Sequence, residues 1–303
     1  MIYTVTLNPS IDYHVWVEAM TAGTIHQVQK EWKVAGGKGI NVSKVLQRLG
    51  CPSVALGFVG GFTGAFIKQQ LEQDGVEHRF IPISGDSRIN IKIKADQETD
   101  MSGVSPDIPE EALQQLLDQL DRLNAGDFLV LAGSVPASIP SDIYQHIMGR
   151  MNQRGVRVIV DAKGQALGNA IDEKPFLIKP NHHELGELFN TQVETVEEAV
   201  HFGRMALERG AANVIVSMAG DGAVFVNRSR AFSAHFPKQQ AVNSIGAGDS
   251  VVAGFLYAHS RGMDEKEAFR FAVAAGSTTA ISEGFCTLEK IEAFLPQITI
   301  TER

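Results

Sequence analysis

The chain has 303 residues, 44% hydrophobic and 20% charged, with no low-complexity tract or linker, a balance that excludes extended disorder and allows a large buried core. Its net charge of −8 argues against a nucleic-acid surface, which needs clustered Lys and Arg, so any anionic ligand has to be held by local positive groups. The start carries no leader pattern and no stretch approaches the ~18 apolar residues of a membrane span, which predicts a cytoplasmic protein with no membrane partner.

Residues 2–7 form the first β-rich run, and the stretch Thr6-Leu-Asn-Pro-Ser-Ile-Asp12 follows directly. Residues 13–33 are rich in β-formers and polar groups but lack a helical period. The cluster Ala35-Gly-Gly-Lys-Gly-Ile-Asn41 then leads into a helix over 42–49. It is not a Walker A loop, because Trp32 and Gly39 stand where that motif needs Gly and Ser or Thr. Its glycines allow a polyol or phosphate close, with Lys38 and Asn41 as donors, although a plain turn and helix cap has the same pattern.

A second strand at 54–59 runs into Gly57-Phe-Val-Gly-Gly-Phe-Thr-Gly64, whose spacing is not that of a dinucleotide fingerprint. In Arg88-Ile-Asn-Ile-Lys-Ile-Lys94 the period is two: Arg88, Asn90, Lys92 and Lys94 share one face, Ile89, Ile91 and Ile93 the other. The basic face reads equally as a lysine-protected edge strand or as a phosphate-binding surface. With residues 13–33, the stretch 87–100 predicts one small extra sheet.

Pro109 opens a helix over 110–123 at a position where its missing N–H costs nothing. Further strands at 128–132, 156–160, 177–179 and 214–217 alternate with helical segments, which predicts an α/β fold with a mainly parallel sheet. Asn181-His-His-Glu184 follows a strand and can present an amide and a carboxylate to a hydrated Mg²⁺ and nucleotide phosphates. The adjacent histidines lack the i, i+4 spacing of a zinc helix and read as solvated or cap-side groups. Thr195-Val-Glu-Glu198 has capping-box spacing before a helix over 199–209. Ser217-Met-Ala-Gly-Asp-Gly222 joins two strand-like runs and also fits a simple Asp-Gly hairpin.

The strongest local signal is Asn243-Ser-Ile-Gly-Ala-Gly-Asp249-Ser250 before a helical run over 251–257. Gly246 and Gly248 free the backbone to aim N–H groups at an anion, and the helix N-terminus adds a favourable field. Asp249 then stands beside a bound phosphate, where a carboxylate can take the proton of an attacking hydroxyl. The bland alternative is a helix cap after a glycine turn. Cys51 and Cys286 match no disulfide or zinc spacing and read as small reduced cysteines.

In this order, Thr6 to Asp12, Gly36 to Asn41, Asn181 with Glu184, and Gly246 to Asp249 resemble the successive signatures of the PfkB, or ribokinase-like, carbohydrate kinases over essentially the whole chain. Within that family, Thr6 to Asp12, the Arg88 to Lys92 segment and Ala132-Gly-Ser-Val-Pro136 are most similar to the bacterial 1-phosphofructokinase branch. Tagatose-6-phosphate kinases are close relatives, and 6-phosphofructokinase activity is a further alternative.

The resemblance implies one doubly wound α/β kinase domain over 1–303 with helices on both faces and a β lid formed by about 13–33 and 87–100. It implies ATP and Mg²⁺ as cofactors, a sugar phosphate as substrate, and a homodimer through the lid. Asp12, Gly36, Gly37 and Asn41 are then expected at the sugar. Lys38, Arg88 and Asn90 are expected at its phosphate, Lys92 with less support, and Ser134 lines that pocket. Lys179, Asn181, Ser217, Gly220 and Gly222 border the nucleotide, Glu184 holds Mg²⁺ through water, Gly246, Ala247 and Gly248 form the anion hole, and Asp249 is the base. Ala132, Met218, Ala219, Ser244 and Ile245 depart from common family residues without removing a charged group. A regulator that binds a sugar phosphate without catalysis is disfavoured, because Asp249, Lys38 and the glycine turn are all present.

Overall fold

The computed structural model of the protein describes residues 1–242 and 244–303; Asn243, the first residue of the glycine motif, lies outside the described residues. The chain begins with β1 (Ile2–Thr6), β2 (Ser10–Trp16) and β3 (Lys30–Gly36), followed by α1 (Lys38–Arg48), β4 (Ser53–Gly60) and α2 (Gly61–Gln73). Short strands β5 (Glu77–His78) and β6 (Ile81–Ile83) precede β7 (Arg88–Lys94) and β8 (Glu98–Met101). Then come α3 (Glu110–Leu120), β9 (Phe128–Ala132), α4 (Ile143–Gln153), β10 (Arg157–Asp161), α5 (Gly164–Ile171), β11 (Leu177–Ile178) and α6 (His182–Phe189). The chain continues through α7 (Val196–Arg209), β12 (Asn213–Ser217), β13 (Ala223–Asn227) and β14 (Ala231–His235). It closes with α8 (Ala247–Ser260), α9 (Glu265–Ala280), α10 (Leu288–Phe294) and β15 (Thr299–Glu302).

Among the described residues the large sheet runs β15-β14-β13-β12-β11-β10-β9-β1-β4-β5, with β6 added beside β4. It is parallel from β5 to β12 and antiparallel from β12 to β15. Its strands are apolar on both sides because both sides are covered. Leu129 and Leu131 of β9 enter one core with α3, α4 and α7, while Phe128, Val130 and Ala132 enter the other with α1, α8 and α9. The alternation read from the sequence thus resolves into a doubly wound α/β sandwich. Among the described residues no helix is long and apolar enough to cross a membrane.

The two stretches without helical period supply a separate sheet of order β3-β2-β7-β8. In it β2 pairs parallel with β7, setting Asp12 opposite Asn90 and Ser10 opposite Arg88. That register puts the polar groups of both strands on one face, over the carboxyl ends of the main sheet. Ile11 on the other face packs into a small core with Val59, Ile67 and Leu71, which anchors the lid on α2 and β4.

Some local expectations are adjusted. Pro109 is the N-cap of α3 rather than its first helical residue, with extended backbone at φ −64° and ψ 152°, and α3 ends at Leu120 instead of 123. The expected capping box at Thr195 and Glu198 is formed in both directions. Both described cysteines are free, Cys286 buried and Cys51 partly so.

Candidate active site

One cleft at the carboxyl ends of the parallel strands, with a volume of about 520 Å³, gathers side chains from lid and main sheet. This is where an open α/β sheet exposes the ends of several strands to one ligand. At its centre lies a residue not singled out in the sequence, Asp161, the last residue of β10, whose side chain is wholly buried. Its Oδ1 accepts from Lys38 Nζ at 2.9 Å and pairs with Lys179 Nζ at 3.4 Å. Burial pushes the Asp161 carboxyl up, but Lys179 and Lys38 outweigh it and hold it below the ordinary carboxylate value. Lys38 is raised above its ordinary value, burial opposing and Asp161 prevailing.

Asp249 sits in the first turn of α8, buried, with Oδ2 accepting from Asn41 Nδ2 at 2.8 Å. Desolvation first, and the negative charge of Asp161 second, push its carboxyl up to about 6, against the pull of Lys38, Asn41 and Lys179. A carboxylate of that basicity is ionised at neutral pH yet is a better proton acceptor than an ordinary Asp. The turn before it requires glycine: Gly246 caps α8 in the left-handed region at φ 77°. A Cβ on Gly248 would lie 3.0 Å from Lys179 Nζ, so glycine there lets the ammonium lie against the start of the helix.

At the lid end Asp12 is buried, and its Oδ1 accepts from Ser10 Oγ at 2.8 Å and Asn90 Nδ2 at 2.9 Å. Arg88 Nη2 donates to the backbone oxygen of Asn8 at 3.0 Å. Gly37, Lys38, Arg88, Asn90 and Ser134 line the same cleft, whereas Gly36 lies behind it, where a Cβ would meet the Asp12 carboxylate at 2.5 Å.

Two groups expected at the sugar or its phosphate line the cleft and are also tied within it: Asn41 Nδ2 donates to Asp249 Oδ2 and Lys38 Nζ to Asp161 Oδ1. Lys92 is outside the cleft altogether: Nζ pairs with Asp100 at 3.0 Å and borders a neighbouring hollow with His14 and Trp32. The period-two pattern put it on the correct face, but that face extends beyond the cleft.

On the other side Asn181 and Glu184 form a capping box at the start of α6. Glu184 N donates to Asn181 Oδ1 at 2.8 Å, and Asn181 N donates to Glu184 Oε2 at 2.9 Å. The box leaves the carboxylate at the rim of the cleft, its orientation fixed. A second, mostly apolar cavity of about 440 Å³ adjoins it, bounded by Gly220 and Gly222 on one side and Val251, Val273, Gly276 and Ala280 on the other. Ser217 and Gly248 border both cavities, and Ala247 the second. The rings of His182 and His183 lie 3.9 Å apart and tilted at 39°, and among the described residues no group of three or more His, Cys, Asp or Glu is arranged to hold a metal by itself. Glu184 and the unpartnered buried Oδ2 of Asp161 do fit a Mg²⁺ that keeps most of its water and phosphate ligands.

Lys179, with its side chain only 5% exposed, is a direct structural test of this arrangement. Lys179→Met strips one of two partners from a buried carboxylate and should cost about 3 kcal/mol in urea unfolding at pH 7. Because the folded value of Asp161 is depressed, its stabilisation is complete above the ordinary value and is lost as pH falls through the folded one. The gap to wild type should therefore narrow in acid; a gap below ~1 kcal/mol at pH 7, or one that widens in acid, contradicts the arrangement.

Against known proteins, the model of the pfkB family carbohydrate kinases matches residues 5–291. The chain is 50% identical to the 1-phosphofructokinase of Bacillus subtilis over 301 residues, covering 99% of each. It is 42% identical to that of Borreliella burgdorferi, covering 100% of this chain and 99% of the relative. Among solved structures, phosphofructokinase-2 from Escherichia coli in complex with substrates and products superposes with a TM-score of 0.93 at 25% identity, covering 97% of this chain and 98% of that one.

Proposed function

The chain belongs to the pfkB family of carbohydrate kinases, and from that premise we infer that it is a 1-phosphofructokinase. It uses ATP to phosphorylate fructose 1-phosphate at the far hydroxyl, giving fructose 1,6-bisphosphate and ADP. What carries this reading in the geometry is one cleft with Arg88, Asn90 and Asp12 at its lid end and Asp249, of raised basicity, at its floor.

The sugar's own phosphate lies toward Arg88, the charged group of the lid end, whose guanidinium suits a phosphate. Asp12, held by Ser10 and Asn90, accepts from sugar hydroxyls. The O6 hydroxyl then faces Asp249, which takes its proton while the oxygen bonds to the γ-phosphorus and the bond from that phosphorus to the bridging oxygen of ADP breaks. Asn41 fixes the carboxylate through its hydrogen bond to Oδ2. Lys38 and Lys179, tied to Asp161, balance negative charge on the moving phosphoryl group, and the amides at the start of α8 add to it.

The apolar cavity beside Ser217 and Gly222 takes the adenine and ribose. Glu184, through water, and Asp161 are the groups that would hold a Mg²⁺, which would supply neutralisation of nucleotide phosphate charge. Tyr13, Ile91 and Ile93, on the lid face turned away from Asp12, together with the half-exposed Met101, offer an apolar surface that supports pairing of two lids in a homodimer. Ile91→Asp should then sediment as a monomer; a wild-type protein that is itself monomeric removes the dimer.

ADP release with Mg-ATP across fructose 1-phosphate, fructose 6-phosphate, tagatose 6-phosphate and fructose should give the highest kcat/KM for the first. Turnover of none, with nucleotide bound, would favour the non-catalytic regulator instead. Asp249→Asn should lower kcat by about 10²–10⁴-fold. In wild type, kcat/KM should fall as pH drops below about 6, where Asp249 protonates. The Asn41 bond lowers the Asp249 value, so Asn41→Leu should move that limb to higher pH, a shift that ionisation of the substrate phosphate cannot produce. An unmoved limb contradicts Asp249 as the base.

A further inference from the structure

Asn8 stands where β1, the lid and the segment 102–108 meet, and it is only 5% exposed. Its Nδ2 donates to Ser105 Oγ at 2.6 Å and, more weakly, to Ser134 Oγ at 3.4 Å, and its backbone oxygen accepts from Arg88 Nη2 at 3.0 Å. Gly103 N, from the same segment as Ser105, donates to Asn90 Oδ1 at 3.2 Å, so residues 102–108 are stitched across the lid end of the cleft from two sides. Within this tied corner two buried atoms have no hydrogen-bond partner among the described residues: the Oδ1 of Asn8, an acceptor, and the Nε of Arg88, a donor. Both residues line the cleft.

A buried polar group without a partner is costly, and an unpaired acceptor and an unpaired donor on residues of one cleft mark the complement of what is missing. Arg88 Nε needs an acceptor, which a phosphate supplies. Asn8 Oδ1 needs a donor, which a phosphate dianion lacks. The pair together therefore fits a hydroxyl next to a phosphate ester. In a ketofuranose 1-phosphate the carbon adjacent to the phosphorylated one, C2, carries the anomeric hydroxyl. In the 6-phosphate the adjacent carbon, C5, carries only hydrogen and the ring oxygen, which leaves Asn8 Oδ1 unpaired.

We propose that Asn8 is a specificity-determining residue, whose side-chain oxygen accepts from the anomeric hydroxyl while Arg88 holds the neighbouring 1-phosphate. Selection of the 1-phosphate over the 6-phosphate then arises from one hydrogen bond that only the former can complete. The inference rests on the 1-phosphate reading above and assigns the part of the site that enforces it.

The test compares fructose 1-phosphate with 2,5-anhydro-D-mannitol 1-phosphate, which keeps the ring, the phosphate and the accepting O6 but lacks the C2 hydroxyl. Wild type should use the analogue about tenfold less well or worse in kcat/KM, because a site built to bond a hydroxyl penalises its absence. In Asn8→Ala the two substrates should come within about twofold of each other, since the discriminating acceptor is gone. Equal use of the two by wild type overturns the proposal without recourse to any variant, and so does a tenfold preference that survives in Asn8→Ala. If fructose 1-phosphate is itself a poorer wild-type substrate than the 6-phosphates, the substrate reading fails instead, and the two failures are told apart in the same experiment.

Discussion

The arrangement of the cleft depends on one buried carboxylate. Asp161 is completely enclosed at the end of a central strand and is kept ionised by two lysines that arrive from different parts of the chain, α1 and the end of β11. An ion buried alone would be too costly to keep, and each lysine is in turn fixed by it. The consequence is a pair of cations held beside the first turn of α8, while the same negative charge raises the basicity of Asp249. One group thus sets both a positive field in the cleft and the proton affinity of Asp249.

The lid supplies what the main sheet cannot, a polar surface facing the strand ends. Parallel pairing of β2 with β7 brings Asp12 and Asn90 opposite one another, and anchoring of Ile11 on α2 and β4 holds that polar face over the cleft. Glycine at 36 lets the Asp12 carboxylate lie against the backbone of β3, and glycine at 248 does the same for Lys179 against α8. The polar face of the lid and the charged groups of the main sheet therefore converge on one cleft of about 520 Å³.

Much of this was legible in the sequence where the signal is local. The alternation of apolar runs and helical segments gave the parallel sheet, the aperiodic stretches gave the lid, and glycine spacing marked the turn before Asp249. What was missed lies in contacts between elements. Asp161 looks like any strand-terminal carboxylate, and only the rule that ligands collect at the carboxyl ends of parallel strands singles out its position. The bond from Asn41 to Asp249 spans 208 positions, and the pairing of Lys92 with Asp100 depends on β8 folding back on β7, neither of which a one-dimensional pattern contains. The partnerless oxygen of Asn8 likewise emerges only when residues 102–108 close over it.

Asp161 tunes Asp249 through its charge, and Asp161→Asn tests this by removing the charge while keeping the shape. The measurement is the acidic limb of the pH dependence of kcat/KM. With the repulsion gone and both lysines still nearby, Asp249 ionises more readily, so the limb should lie at lower pH than in wild type, where it is expected at about 6. A limb at the wild-type position would mean that Asp161 is a structural anchor with no hold on Asp249.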